Sequence, residues 1–360
     1  MNSTSEEHAG RMPRISIAMA TYNGGKYISE QLRSIAEQDR LPYELVICDD
    51  GSIDDTLEIA YRFRDTAPFP VRIIKNDVNL GYADNFLKAA KLCEGDWISF
   101  CDQDDFWFPN KLNNAAMAIE NNKSAVLILQ NSIVSDSTLK SQDRLFPNFI
   151  KTGIHGPGRQ YGYWVWHGFL QTFRADIIRE LNFADRPNFN SLVIPYSHDQ
   201  WTCLIANALG DIVVLDTPAA FYRRHTSAVT GKYRPENFKE KVLNSLKISL
   251  NIYAFQAASA RSSATYLRCI AASSKNSEWK IRFNTAADEF DKISIIFELR
   301  SKLYNGENIF SRSKYFIKII AARGYVGPPM IAMGTKSLAK DLIAVLGFIT
   351  RLNVENPEKS

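Results

Sequence analysis

Four short apolar runs, each followed by turn residues and then by an amphipathic stretch, fill the first hundred residues and restrict the fold more than any other feature. Ile15-Ser16-Ile17-Ala18-Met19-Ala20, Glu44–Cys48, Val71–Ile74 and Trp97–Cys101 have the length and the β-branched or aromatic content of buried strands. Between them Tyr27, Ile28, Leu32 and Ile35 recur at helical spacing. A second helix is predicted over Leu57–Phe63, and a third over Asn85–Leu92 with Phe86, Leu87, Ala90 and Leu92 inward, closed by Gly95. Strand and helix alternating in this way predict an α/β fold, a parallel sheet covered by helices on both faces. Open sheets of that kind bind ligands beyond the carboxyl ends of their strands, so the residues after each run are the ones that matter.

The fourth run empties into Asp102-Gln103-Asp104-Asp105. Carboxylates massed at one strand end repel one another unless something positive sits among them, and a hard divalent cation shared with a substrate's phosphates would suit. The same residues also suit a solvated acidic turn before the helix that starts after Pro109. The second run ends in Asp49-Asp50-Gly51-Ser52 and Asp54-Asp55-Thr56, where a carboxylate can accept from a base N–H or a ribose hydroxyl, while Ser52 or Asp54 can cap the next helix. The first run ends in Thr21-Tyr22-Asn23-Gly24-Gly25 and the third in Asn76-Asp77-Val78-Asn79-Leu80-Gly81. There is no GxGxxG, and Gly24-Gly25-Lys26 lacks the spacing of a phosphate loop, so neither a dinucleotide enzyme nor a nucleoside triphosphatase is supported.

A net charge of +4 over 360 residues gives no case for nucleic acid, and 45% hydrophobic content supports a real core. Five scattered cysteines, Cys48, Cys93, Cys101, Cys203 and Cys269, show no paired spacing and read as buried thiols of a reducing compartment, the cytoplasm. Residues 1–13 are polar, without the apolar stretch of a signal peptide, and read as a flexible lead. No run approaches the roughly 20 apolar residues of a membrane span.

Beyond Leu112 come a helix ending over Ala115–Ile119, a strand over Ala125–Leu129, and a long polar loop rich in Ser and Asp. Gly153–Tyr163 holds several glycines and is expected to be mobile. Trp164–Phe173 fits either a half-buried strand or an aromatic platform for a sugar. Ser197-His198-Asp199-Gln200-Trp201 precedes an apolar helix, Thr202–Leu209, stopped by Gly210. Asp199 there fits both a base beside an acceptor hydroxyl and a plain N-cap. Arg223, Arg224 and His225 offer donors to a diphosphate, or form a solvated face. The remainder reads as helical. Val242, Leu243, Leu246, Ile248, Leu250, Ile252 and Phe255 support one helix, Phe290, Ile293, Ile296 and Leu299 another. Ser337–Leu352 carries a stripe of Leu338, Leu342, Val345, Leu346, Ile349 and Leu352 edged by Lys336, Lys340 and Arg351. That stripe packs on the rest of the protein or forms a dimer, with an anionic membrane face as the other reading.

Four ordered segments, SIAMATYNGGKYISEQLRSI, ELVICDDGSIDDT, NDVNLGYADNF and GDWISFCDQDDFWFPNKL, together resemble the successive signatures of family 2 of the nucleotide-sugar glycosyltransferases, an inverting family with the GT-A fold. The DQDDFWFPNKL form is most similar to its bacterial rhamnosyltransferase-like branch. The resemblance runs from about Arg14 to Gly231. It implies a GT-A domain over 14–231, with a nucleotide-sugar half at 14–112, an acceptor half at 113–231 and a helical region at 232–360. The sheet would be mixed and mainly parallel, flanked by helices.

By the same resemblance, Thr21 and Tyr22 line the nucleotide site together with Asn79, Gly81 and Asn85, Asp50 accepts from a pyrimidine base, and Gln103 meets the ribose. Asp104 would hold a divalent metal (Mn2+ or Mg2+) on the diphosphate with Asp102 in support, and Asp105 has no assigned role. Gly168 would cup the donor sugar, Asp199 would be the catalytic base with His198 its neighbour, and Arg223 and His225 would close over the leaving group, His225 as a further metal ligand. The QxxRW element of processive members is missing, which implies single additions. The implied donor is dTDP-rhamnose first and a UDP-hexose next. The implied acceptor is a hydroxyl of a glycan or lipid-linked molecule in bacterial surface polysaccharide or lipopolysaccharide synthesis, at the cytoplasmic side of the membrane. Two rival readings are a sugar nucleotidyltransferase and a catalytically silent sugar-binding protein; the first would want a basic glycine loop after the first strand, which Tyr22–Lys26 lacks.

Overall fold

A computed structural model of the chain describes residues 12–146, 151–163, 165–188, 194–225, 247–249, 251–348 and 350–352. The first hundred residues form β1 (Ile15–Thr21), α1 (Ile28–Ala36), β2 (Glu44–Asp49), α2 (Thr56–Arg64), β3 (Val71–Lys75), α3 (Tyr82–Leu92) and β4 (Trp97–Cys101). Every residue of β1, β2 and β4 is buried. Such continuous burial is what helices on both faces of a parallel sheet require, and it explains why these runs do not alternate in polarity.

The second half adds β5 (Phe106–Trp107), α4 (Lys111–Asn121), β6 (Ala125–Ser135), β7 (Ser141–Phe146), β8 (Gly153–His155), β9 (Gln171–Arg174), α5 (Asp176–Glu180), α6 (His198–Leu209) and β10 (Asp211–Arg223). The strands make one sheet in the order β3-β2-β1-β4-β9-β6-β10-β5, with β7 on β6 and β8 on β10. β3, β2, β1, β4, β6 and β10 run one way, while β9, β5, β7 and β8 run against them. This is the mixed, mainly parallel sheet expected. Short β9, wedged between β4 and β6, joins the two parallel blocks and carries the segment after Gly168 into the centre.

The helical end consists of α7 (Ile252–Ser273), α8 (Ser277–Tyr304), α9 (Ile309–Ala321) and α10 (Gly334–Val345), with a small parallel pair, β11 (Lys247–Ser249) and β12 (Thr350–Leu352). It shares a continuous core with the α/β body. Trp201 Nε1 of α6 donates to the Tyr266 hydroxyl at 2.8 Å, and the Tyr196 hydroxyl meets Ser263 Oγ at 3.1 Å.

Several sequence expectations need correction. The segment after Leu129 continues as strand to Ser135 and turns back through β7, the turn being held by Asp136 accepting from Thr138 and Lys140 N–H. Gly153–Tyr163 is pinned: β8 pairs with β10, Gly158 N–H donates to Asn207 and Gly162 N–H to Met330. Trp166–Leu170 is irregular and 3-10 backbone, and strand begins only at Gln171; Trp164 lies outside the described residues. The helix assigned from Val242 starts at Ile252, since 247–249 is strand, as the period-two spacing of residues 246, 248, 250 and 252 allows. Residues 242–246 and Leu250 lie outside the described residues. The last helix covers Gly334–Val345 rather than Ser337–Leu352, and Ile349 lies outside the described residues. Four cysteines are buried, but Cys269 is exposed.

Candidate active site

The carboxyl ends of β1, β2 and β4 lie side by side, and their acidic residues divide by task. Asp49 accepts from the Gly51 and Ser52 N–H groups and from the Thr21 and Ser52 hydroxyls, which ties β1 to β2 beneath the surface. Thr21 is itself buried. Asp54, rather than Ser52, serves the start of α2, accepting from Thr56 N–H at 3.1 Å. Asp50 grips the loop after β3: its Oδ1 accepts from Asn76 Nδ2 at 2.9 Å and Leu80 N–H at 2.7 Å, and its Oδ2 from Gly81 N–H at 2.8 Å. Three donors leave capacity for one more on Oδ2. Gly81 takes a positive φ of 79° there, which a side chain would oppose.

Asn79 and Asn85 are also engaged with protein. Asn79 Nδ2 donates to the Asp50 carbonyl at 2.9 Å, and buried Asn85 bridges the Cys48 carbonyl and the Asn76 side chain. Gln103 clasps the Tyr22 backbone in both directions, Oε1 to N–H and Nε2 to carbonyl, each at 3.0 Å. Gly24 must be glycine for this, because a Cβ would stand 2.1 Å from Gln103 Oε1. The Tyr22 side chain itself is exposed at the mouth. Gln103, Asn79, Gly81 and Asn85 therefore turn polar groups to protein partners in this structure.

Asp104 and His225 meet, Oδ2 to Nε2, at 2.7 Å, with the imidazole against the Tyr27 ring. Arg223 corrects an expectation. Its guanidinium is buried and spent on the Asp104 carbonyl (2.7 Å), the Ser137 carbonyl (2.8 Å) and the Glu30 carboxylate (2.5 Å), over the Tyr27 ring. Its N–H donates to Asp105 Oδ1 at 3.0 Å. Arg223 is thus a strut that fixes Asp104 and His225, not an open donor. Asp105 is its anchor, and burial followed by repulsion from Asp104 and Asp102 holds the Asp105 carboxyl well above the usual range. Residues 226–231 lie outside the described residues.

Two segments distant in sequence pack beside the end of β4. The His198 ring, 5% exposed, stacks on Phe86 at 4.1 Å between centroids and meets Phe100 edge-on at 4.8 Å. Phe100 stands two residues before Asp102, and His198 one before Asp199, so this packing brings the start of α6 to the end of β4. Gly168 makes room for it: a Cβ there would be 2.3 Å from His198 Nε2. Gly168 is buried with the imidazole as its neighbour. Neither His198 nitrogen has a hydrogen-bond partner among the described residues, and burial brings the imidazole down to about 4.

Asp199 is the second residue of α6. Ser197 takes the capping box with Gln200, whose Oε1 accepts the Ser197 N–H at 2.9 Å. Asp199 Oδ1 accepts from the Ser197 hydroxyl and from Gln200 N–H at 2.8 Å. Its Oδ2 takes no hydrogen bond among the described residues. Asp102 lies within electrostatic reach of both other carboxylates: burial, then Asp104, then Asp199 push it up to about 8. Sequence reasoning missed Tyr82 and His167, which also feel Asp199. It missed Glu30 and buried Lys111 as well; the latter donates to the Phe169 carbonyl at 2.9 Å, and burial lowers it to about 8. A lysine placed directly after Pro109-Asn110 carries no burial signal of its own.

Among the described residues no cluster of three or more His, Cys, Asp or Glu side chains could hold a metal alone. Asp104 Oδ2 and His225 Nε2 face each other at hydrogen-bond distance, a donor pair that a cation completing its shell from substrate phosphates and water would have to enter between, breaking that bond.

Residues 16–182 match the model of the family described as glycosyl transferase family 2. The chain is 28% identical over 169 residues to a putative glycosyltransferase, EpsE, of Bacillus subtilis, covering 47% of this chain and 59% of that one. It is 42% identical over 101 residues to the dTDP-rhamnosyl transferase RfbG of Shigella flexneri, covering 27% of this chain and 35% of that one. The chain thus spans less than two thirds of these relatives. A crystal structure of Staphylococcus aureus TarS 1-349 in complex with UDP-GlcNAc superposes with a TM-score of 0.54 at 17% identity, over 92% of this chain and 89% of that one, which places the fold in the GT-A class.

Proposed function

We propose that the family 2 glycosyltransferase domain carried by residues 16–182 serves an inverting, metal-dependent, single-addition transfer of a sugar from a nucleoside diphosphate to an acceptor hydroxyl. The observation that supports this reading is the packing of His198 against Phe86 and Phe100, which brings the start of α6 to the end of β4, together with the reach of both Asp104 and Asp199 to Asp102. Asp199 Oδ2 takes the proton of the acceptor hydroxyl. The oxygen then bonds to the anomeric carbon from the side opposite the diphosphate, as the bond from that carbon to the phosphate oxygen breaks. Asp104 and His225 would hold the cation, which neutralises charge on the departing diphosphate when bound. Arg223 and Glu30 keep those two ligands in register, and Asp50 receives the base.

The donor we favour is dTDP-rhamnose, supported by the segment shared with RfbG. A UDP-hexose is the second choice, supported by a fold neighbour in complex with UDP-GlcNAc. The acceptor we favour is a glycan or lipid-linked hydroxyl of bacterial surface polysaccharide synthesis. Calorimetric titration of dTDP and UDP, with and without Mn2+, tests the site. Tight binding should need the metal and disappear in Asp104→Ala. Equal affinity in both buffers, or no hydrolysis of any labelled nucleotide sugar from a panel of dTDP and UDP donors, would overturn the reading and favour a silent sugar binder.

A further inference from the structure

The helical end presents a surface that sugar transfer does not use. α9 sends only Ile319 fully into the core, while Phe310 is 84% and Ile317 63% exposed, with exposed Ile320 beside them. Positions 310, 317 and 320 share one side of a helix, since seven residues are close to two turns. α10 repeats the arrangement: Asp341, Ala344 and Val345 face inward, Leu342 and Leu346 outward, and exposed Phe348 follows. Val326, in the connection between the two helices, is also exposed. α9 and α10 pack against each other, and large apolar side chains left exposed along both mark a surface that something covers.

Charge identifies the cover. Residues 308–348 contain Arg312, Lys314, Lys318, Arg323, Lys336 and Lys340, and Asp341 is their only acid, so the segment carries +5 against +4 for the whole chain. Asp341 is fully buried and held by Arg300, Tyr304 and Tyr325. Lys314 and Lys318 are exposed one turn apart, beside Phe310 and Ile317. A second copy of the chain would oppose like charges across this face. An anionic bilayer surface matches both features, taking the rings and branched chains at the acyl boundary and the ammonium groups at the phosphates. Among the described residues no helix is long and apolar enough to cross a membrane, so the contact runs along the surface.

We propose that α9 and α10 form a docking face for an anionic lipid bilayer. The inference does not rest on the transfer reading, and its readout is binding. The full chain should sediment with vesicles of phosphatidylcholine mixed with phosphatidylglycerol, not with phosphatidylcholine alone, and salt should release it. Lys314→Glu with Lys318→Glu should lower the partition at least about 25-fold, from about fivefold per lysine. Phe310→Ser with Ile317→Ser should lower it comparably at an unchanged melting temperature. Equal binding to both vesicles, no binding to either, or wild-type binding by the charge-reversed variant would overturn the proposal. So would a concentration-dependent dimer in sedimentation velocity that the Ser variant abolishes, since the face would then be a protein interface.

Discussion

Asp199 is available as a base because Ser197 and Gln200 have taken the capping duty at the start of α6. An aspartate at the second helical position feels the positive helix end, and its Oδ2 takes no hydrogen bond among the described residues. Asp199→Asn keeps the shape and removes the proton acceptor. Transfer should fall by about 10²–10⁴-fold, while calorimetry shows dTDP or UDP affinity within about twofold of wild type; a normal turnover number would remove the assignment. His198 beside it makes a separate, pH-dependent prediction. Its imidazole is neutral in the folded state, brought down to about 4 from 6.5, so the unfolded chain binds more protons between those values. That contribution is fully present above about pH 6.5 and is lost as pH falls toward 4, by about 3 kcal/mol. Melting temperatures across that window should fall further for wild type than for His198→Phe, whose ring suits the Phe86 and Phe100 neighbours; parallel curves would show that His198 is not buried neutral.

At the scale of elements, the proposed site is a meeting of β4, the 3-10 turn after His167 and α6, where Gly168 lies so near His198 that a Cβ would not fit. A methyl group at 2.3 Å from Nε2 has to push the imidazole off Phe86 or lift the turn. Gly168→Ala should cost about 1–3 kcal/mol in urea unfolding and lower transfer with it. Adding His198→Ala should return part of that cost, because the two changes act on one contact; strictly additive losses would show that the contact is not the cause. The same junction explains what was legible beforehand. The strand ends of β1 to β4 were readable because apolar runs and acidic turns are local patterns, and Asp102 and Asp104 stand out there by charge, as Asp199 does at the start of α6. Gly168 was noticed, but its partner was not, since nothing near residue 168 signals a ring thirty residues on. Arg223 misled for the opposite reason: arginine beside histidine suggests an anion site, whereas Glu30, far off in sequence on α1, and two carbonyls take its donors. Period alone also failed at residues 246–252, where apolar spacing suits both strand and helix.

For the whole molecule the question is whether the helical end is a passenger or a brace. α6 is held from behind by Tyr266 of α7 and by Arg282 of α8, whose guanidinium donates to the Leu209 carbonyl, so the helix that carries Asp199 is buttressed near both ends by this region. The region is fastened in turn by one buried ion pair: Arg300 Nη2 to Asp341 Oδ1 at 2.6 Å, with the Tyr304 and Tyr325 hydroxyls each donating to the same carboxylate at 2.7 Å. Removing the cation leaves that carboxylate buried with two phenols for company, and a broken buried pair costs about 3–5 kcal/mol. Arg300→Met should therefore lower the urea midpoint markedly. Arg300→Met with Asp341→Asn should recover much of it, because the amide oxygen still accepts from a phenol and no charge is stranded. Since the core runs without a break from the sheet into α7 and α8, the loss should appear as a shift of a single transition, seen alike by tryptophan fluorescence and by circular dichroism. If instead an early, separate transition emerges while nucleotide binding survives it, the helical end folds on its own account, and α6 does not need it to hold Asp199 at the cleft.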